Sequence, residues 1–153
     1  MGTNFYLIHP IPPEKKEELK KFIDSTDDIE DIVNAVDDIL DTQKNYDTED
    51  TRYKIHIGKR SLGWQFLFSR TLEDYCPLTK DGIKDWLKTG QIIDEYGEKY
   101  SLEYFWKEVE ACKDGMTSYD YEKKYPDKPR TRPGYGDYLN DGLRFTSYKT
   151  YFC

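Results

Sequence analysis

Across 153 residues the chain is 37% hydrophobic and 35% charged, with a net charge of −7. Such a length supports one domain with a core of its own, and no apolar run approaches the roughly 20 residues that cross a bilayer. The acidic balance argues against long-range attraction to nucleic acid, and the start lacks a secretory leader's basic and apolar stretches, so a cytoplasmic chain is expected.

Thr3 to Ile8 is short, aromatic and aliphatic and stops at His9-Pro10, which reads as a first strand. Pro13 suits a first helical position, and Leu19, Phe22 and Ile23 then share a face. Ser25 or Thr26 is expected to cap a second helix over 27–41. Its Ile29, Ile32, Val33, Val36, Ile39 and Leu40 recur at helical spacing. Both helices belong to an acidic helical insertion at about 13–50. From Asp24 to Asp50 eleven acidic residues meet one lysine, a local balance of −10.

Tyr53, Ile55 and Ile57, then Trp64, Phe66 and Phe68, alternate with other residues. This period predicts a hairpin whose reversal is bracketed by Gly58 and Gly63 and carries Lys59 and Arg60 at its tip. Thr79 or Asp81 opens a helix over 80–89 with Ile83, Trp86 and Leu87 inward. Gln91 to Asp94 is a strand and Glu95 to Gly97 a turn. Ser101 caps a helix over 102–113 that buries Leu102, Phe105, Trp106 and Val109. Tyr, Pro, Lys and Arg then dominate, and prolines oppose regular structure, so a long surface loop is expected at about 115–138. An Asn140-Asp-Gly142 turn leads into a closing strand, 143–152.

These pieces resemble a family of small, uncharacterised proteins encoded by bacteriophages and prophages. The likeness rests on Met1-Gly-Thr-Asn followed by aromatics and on His56-Ile-Gly-Lys-x-Ser-x-Gly-Trp-x-Phe66. It extends to Gly90-x-Ile-x-Asp-Glu-Tyr-Gly97 and Asp141-Gly-x-x-Phe145. It covers about half the chain and implies a phage setting without an established activity. Many relatives place a Cys-x-x-Cys knuckle where this chain has its acidic helices, so no metal site is carried over.

Several patterns have both a plain and a functional reading. Gly58, Lys59, Arg60, Ser61 and Gly63 make a simple turn or a phosphate cradle, with glycines admitting backbone N–H groups and two cations adding charge. Tyr121, Arg130 and Arg132 in the long loop combine stacking faces with cations, as a base and its phosphate require. Asp31, Asp37, Asp38 and Asp41 form a solvated helix face or a mimic of a phosphate array. His9 and His56 with Cys76 or Cys112 are structural or metal-ligating; zinc sites favour paired ligands at short spacing. Asp94 and Glu95 beside His56 serve a turn or acid–base chemistry. The cysteines are odd in number, far apart and unpaired in sequence, as reduced thiols are. The 14 Tyr, 7 Phe and 3 Trp suit an aromatic core or a binding surface.

The expected fold is α+β, a small and mainly antiparallel sheet covered on one face by three or four helices in one domain. The expected role is a non-enzymatic phage accessory protein of host takeover or anti-defence, in the cytoplasm of the infected bacterium and needing no cofactor. It would sequester a phosphorylated, nucleotide-like small molecule through Gly58, Lys59, Arg60, Ser61, Trp64, Tyr121, Arg130 and Arg132. The alternative is inhibition of a basic, nucleic-acid-binding host protein, such as a defence protein, through Asp31, Asp37, Asp38 and Asp41. A hydrolase using His56 is a third reading. No direct nucleic-acid or membrane binding is expected, and the aromatics allow a homo-oligomer.

Overall fold

The computed structural model describes residues 2–42, 50–127 and 137–147. The fold is α+β, and among the described residues its sheet has seven strands. β1 (Gly2–Ile8) is central and pairs antiparallel with β2 (Lys54–Ser61) and with β4 (Gln91–Asp94). β3 (Leu67–Phe68) follows β2, and β5 (Lys99–Tyr100) closes the other edge. At the far end β6 (Asp137–Asn140) and β7 (Leu143–Thr146) form a hairpin, and β7 joins β3 in parallel. The hairpin turns where expected, at Asp141 (φ 50°) and Gly142 (φ 73°), a double left-handed conformation that Asp-Gly tolerates.

Alternation decides which side of the sheet is covered. Phe5 and Leu7 are fully buried, while Asn4, Tyr6 and Ile8 between them are half-buried. Leu7 lies opposite Ile55 on one side and Ile92 on the other, so the buried residues of three strands share a face. Ile83, Trp86 and Leu87 of α3 (Lys80–Leu87) and Phe105, Trp106 and Val109 of α4 (Leu102–Ala111) cover them. Caps set where these helices start: the Thr79 side chain accepts from Gly82 N–H and that of Ser101 from Tyr104 N–H. Phenylalanines knit the layers together, with Phe5 and Phe66 5.2 and 5.6 Å from the Phe105 ring.

α1 (Pro13–Ser25) and α2 (Ile29–Leu40) pack on each other, but neither adds a residue to that main core cluster. The helix expected over 27–41 therefore stands outside the layer formed by α3 and α4. Its cap is Asp28, whose carboxylate accepts from Glu30 N–H, and not Ser25 or Thr26.

Three further expectations are corrected. β2 runs straight through Gly58 to Ser61, and the reversal comes later, at Leu62-Gly63. Gly58 meets a packing demand: a Cβ there would strike the Leu67 carbonyl and the Phe66 ring. Second, the stretch at 115–138 is not one long loop. Thr117 and Asp120 form a reciprocal capping box that starts α5 (Ser118–Lys124), and Pro126 comes only after its end, where it opposes nothing. The far end of that stretch, from Asp137, belongs to β6. Third, the closing strand expected over 143–152 gives way to a bend at Ser147 after Thr146, and its part over 148–152 lies outside the described residues. A short 3-10 turn at Arg70–Asp74, which buries Leu72, was not expected either.

Candidate functional site

Strand alternation sends Lys59 and Arg60 to opposite sides of β2. Arg60 turns toward the helices: its guanidinium lies 5.8 Å over the Phe5 ring and pairs with the Glu108 carboxylate of α4. Lys59 lies with Ser61 against the backbone of Gly2, opposite the end of β2. Gly58 to Ser61 are extended strand paired with β1, so they do not form the loop expected to cradle a phosphate at Gly58–Gly63; only Leu62-Gly63 turns.

The end of β2 still opens onto something. Gly2, Arg60, Ser61, Trp64, Cys112 and Asp114 line a groove of about 600 Å³ between the β1–β2 end and the tail of α4. Three of the expected ligand residues, Arg60, Ser61 and Trp64, meet there. Leu62, 97% exposed, stands at its margin. Burial raises the Cys112 thiol above its usual range, so it is protonated at neutral pH.

Trp64 is held from several directions. A bridge joins it to Met116, with Met116 N–H donating to Gly63 O at 2.9 Å and Gln65 N–H to Met116 O at 3.1 Å. Tyr121 of α5 stacks on its ring at 5.9 Å and 26°, and the Arg144 guanidinium lies 5.1 Å from the same ring. Tyr121 therefore reaches the groove only through Trp64. Arg144 is a residue that sequence reasoning missed. It is buried, donates to Asp137 at 2.5 Å and to the Gln65 carbonyl at 2.9 Å, and ties β7 to the Trp64 segment. Its signal was the lone cation between Leu143 and Phe145. Glu108 was missed too, and nothing in its helix marks it as the partner of an arginine 48 positions away. Arg130 and Arg132 lie outside the described residues.

The acidic candidates are all exposed. Asp31 and Asp38, seven apart, share one side of α2. Asp37 accepts from Thr42 Oγ1 at 2.5 Å, and Asp41 terminates the helix in a left-handed conformation (φ 52°). Ile29, 76% exposed, and Val33, 54% exposed, stand on the side of α2 next to Asp37.

The residues considered for acid–base or metal chemistry are occupied elsewhere. Burial alone would raise the Asp94 carboxyl, but N–H donors from Glu98 and Tyr96 and the Tyr100 hydroxyl hold it below the usual carboxylate range. It is the hub of the turn closed by Gly97. His56 is buried, and its Nε2 lies 3.0 Å from Asn4 Oδ1. Burial pushes its pKa down to about 4, so the ring is neutral at physiological pH. The His56 N–H donates to Asp50, whose carboxyl is pushed up to about 6 by burial. His9 Nε2 sits 3.0 Å from the Thr89 hydroxyl. Among the described residues no three His, Cys, Asp or Glu side chains gather closely enough to hold a metal ion. No helix there is long and apolar enough to cross a membrane.

Compared with known proteins, the chain matches no family model, no curated protein and no solved structure.

Proposed function

We propose that the chain is a non-enzymatic, phage-encoded accessory protein of the host cytoplasm that captures a small phosphorylated, nucleotide-like molecule in the groove at the end of β2. The observation that carries this reading is the convergence of Arg60, Ser61 and Trp64 on one opening of about 600 Å³. That volume is within the roughly 300–1,000 Å³ typical of small-ligand sites. Arg60 supplies the cation for a phosphate, Ser61 a hydroxyl, and the edge of Trp64 an apolar wall. Glu108 occupies part of the guanidinium, so an incoming anion competes with it. The phage setting is supported by the motif resemblance from His56 to Phe66.

Native mass spectra of the chain, taken with a panel of cyclic and linear nucleotides, test the site. A retained ligand of a few hundred daltons is expected, lost in Arg60→Ala and held more tightly in Glu108→Gln, which frees the guanidinium. A ligand retained equally by Arg60→Ala removes this site assignment.

The second reading, docking of a basic protein on α2, is favoured by the exposed Ile29 and Val33, which neighbour Asp37 on the helix. It predicts that changing Asp31, Asp37, Asp38 and Asp41 to Asn abolishes a salt-sensitive complex. Survival of that complex would sink it.

A further inference from the structure

We infer, on the basis of the nucleotide reading above, that the groove at the end of β2 selects guanine. Arg60 takes a single phosphate group, and Asp114, at the opposite end, takes the hydrogen-bonding edge of the base.

Among the described residues that line the groove, only Arg60 and Asp114 carry charge. They are differently engaged. The Arg60 guanidinium lies over the Phe5 ring and pairs with Glu108. Asp114 is exposed, and no hydrogen bond or ion pair within the described residues engages its carboxylate. An ionised carboxylate only accepts, so whatever meets it must bring donors.

The two charges stand at different ends. Glu108, the partner of Arg60, precedes Cys112 at the end of α4 by about 6 Å of helical rise, and Asp114 lies beyond Cys112. The tail of α4 then turns, with Gly115 N–H donating to Cys112 O at 3.0 Å. It is pinned to the Trp64 segment by the Trp64–Met116 bridge and by Gly115, where a Cβ would lie 2.3 Å from the Trp64 carbonyl carbon. Asp114 is thus carried on backbone already fixed in place, which lowers the ordering cost of binding.

A ligand for this groove carries an anion at one end and donors at the other. Of the four RNA bases, guanine alone presents two adjacent donors, N1–H and the 2-amino group, and these match the two oxygens of a carboxylate. Adenine and cytosine set an acceptor nitrogen beside their amino group, and uracil flanks its N3–H with two carbonyls. Each of these turns a lone pair toward the carboxylate, which disfavours it. Charge also limits the phosphate. One guanidinium shared with Glu108 matches one phosphate group, whereas a triphosphate brings further anions toward Glu108 and Asp114. The ligand class is therefore a guanosine monophosphate, linear or cyclic. Leu62, 97% exposed at the margin, and the Trp64 edge supply apolar contact.

Calorimetric titration of the full chain with the monophosphates of guanosine, inosine, xanthosine and adenosine tests the assignment. Inosine lacks the 2-amino group, and xanthosine has a carbonyl in its place. The wild type should bind guanosine monophosphate about ten- to a hundredfold more tightly than each of the others, as loss of a hydrogen bond to a charged group implies. Asp114→Asn, at an exposed position, should keep its melting temperature and prefer xanthosine to guanosine. Its carboxamide NH₂ opposes the guanine amino group but donates to the xanthine carbonyl.

Equal affinity for guanosine and inosine monophosphates overturns the inference, and so does a guanine preference that Asp114→Asn leaves intact. Guanosine triphosphate bound more tightly than the monophosphate overturns the single-phosphate assignment. If nucleotides bind through Arg60 without regard to base, the choice of guanine falls and the groove remains a nucleotide site. If no nucleotide binds, both fall.

Discussion

The sheet with α3 and α4 and the α1–α2 pair have similar amphipathic patterning but different fates. In the first region the apolar positions close on one another: Phe5, Phe66, Phe68, Phe105 and Phe145 are all below 2% exposure. In the second, α1 buries no residue, and α2 buries only Ala35 and Leu40 while leaving Ile29 and Val33 in solvent. A stripe at helical spacing thus says that a helix has an apolar face, not that the same chain covers it. Acidity adds to the contrast, since repulsion among the carboxylates opposes close packing around α2.

The largest expected effect breaks the comparison at the core. Phe105→Ala removes a ring that contacts Phe5 and Phe66 and should cost about 3–5 kcal/mol in urea unfolding. A cost below 1 kcal/mol would mean that the aromatic cluster is not the stabilising centre.

A second test uses buried His56 of β2 and Asp50, whose carboxylate accepts from the His56 backbone N–H. Asp50 has a folded pKa near 6, above its ordinary value of 3.8, so its ionisation lowers stability as pH rises between them. His56 has a folded pKa near 4, below 6.5, so stability rises with pH across that interval. In the wild type the two slopes oppose each other. Asp50→Asn should leave the His56 limb alone and steepen the rise from pH 4 to 6, by on the order of 2 kcal/mol. His56→Gln should leave the falling limb. Equal slopes in wild type and Asp50→Asn would disprove the assignment.

Gly58→Ala is expected to cost about 1–3 kcal/mol, because its Cβ would meet backbone and a packed ring. This position also shows what the sequence could and could not convey. Alternation identified the strands around it, and Ile55, Ile57, Phe66 and Phe68 are core as expected. Whether a glycine turns the chain or admits a neighbour depends on what packs above it, which is a long-range fact. The same holds for the site. Arg60, Ser61 and Trp64 were legible as a cluster, but Glu108 and Arg144 approach from distant segments with no local pattern. The start of α5 was locally encoded by Thr117-x-x-Asp120, a signal outweighed by the prolines beyond it. That α1 and α2 are helices was legible for a local reason, since helix spacing needs no partner, although α2 is capped by Asp28 and not by Ser25 or Thr26. What covers them was not.

The smallest expected effect sharpens the comparison most. Ile29→Ser and Val33→Ser change two apolar residues on a helix, and the same replacements at Ile83 or Leu87 would be severe. Here both side chains already meet water over half or more of their surface, so the transfer term is a fraction of that for a core position. Helix propensity differs by only a few tenths of a kcal/mol between these residues. The double variant should therefore unfold within about 1 kcal/mol of wild type when both are measured in dilute solution at neutral pH. A loss of 2 kcal/mol or more under those conditions would place Ile29 and Val33 against a surface of their own chain, and the contrast between the two regions would collapse.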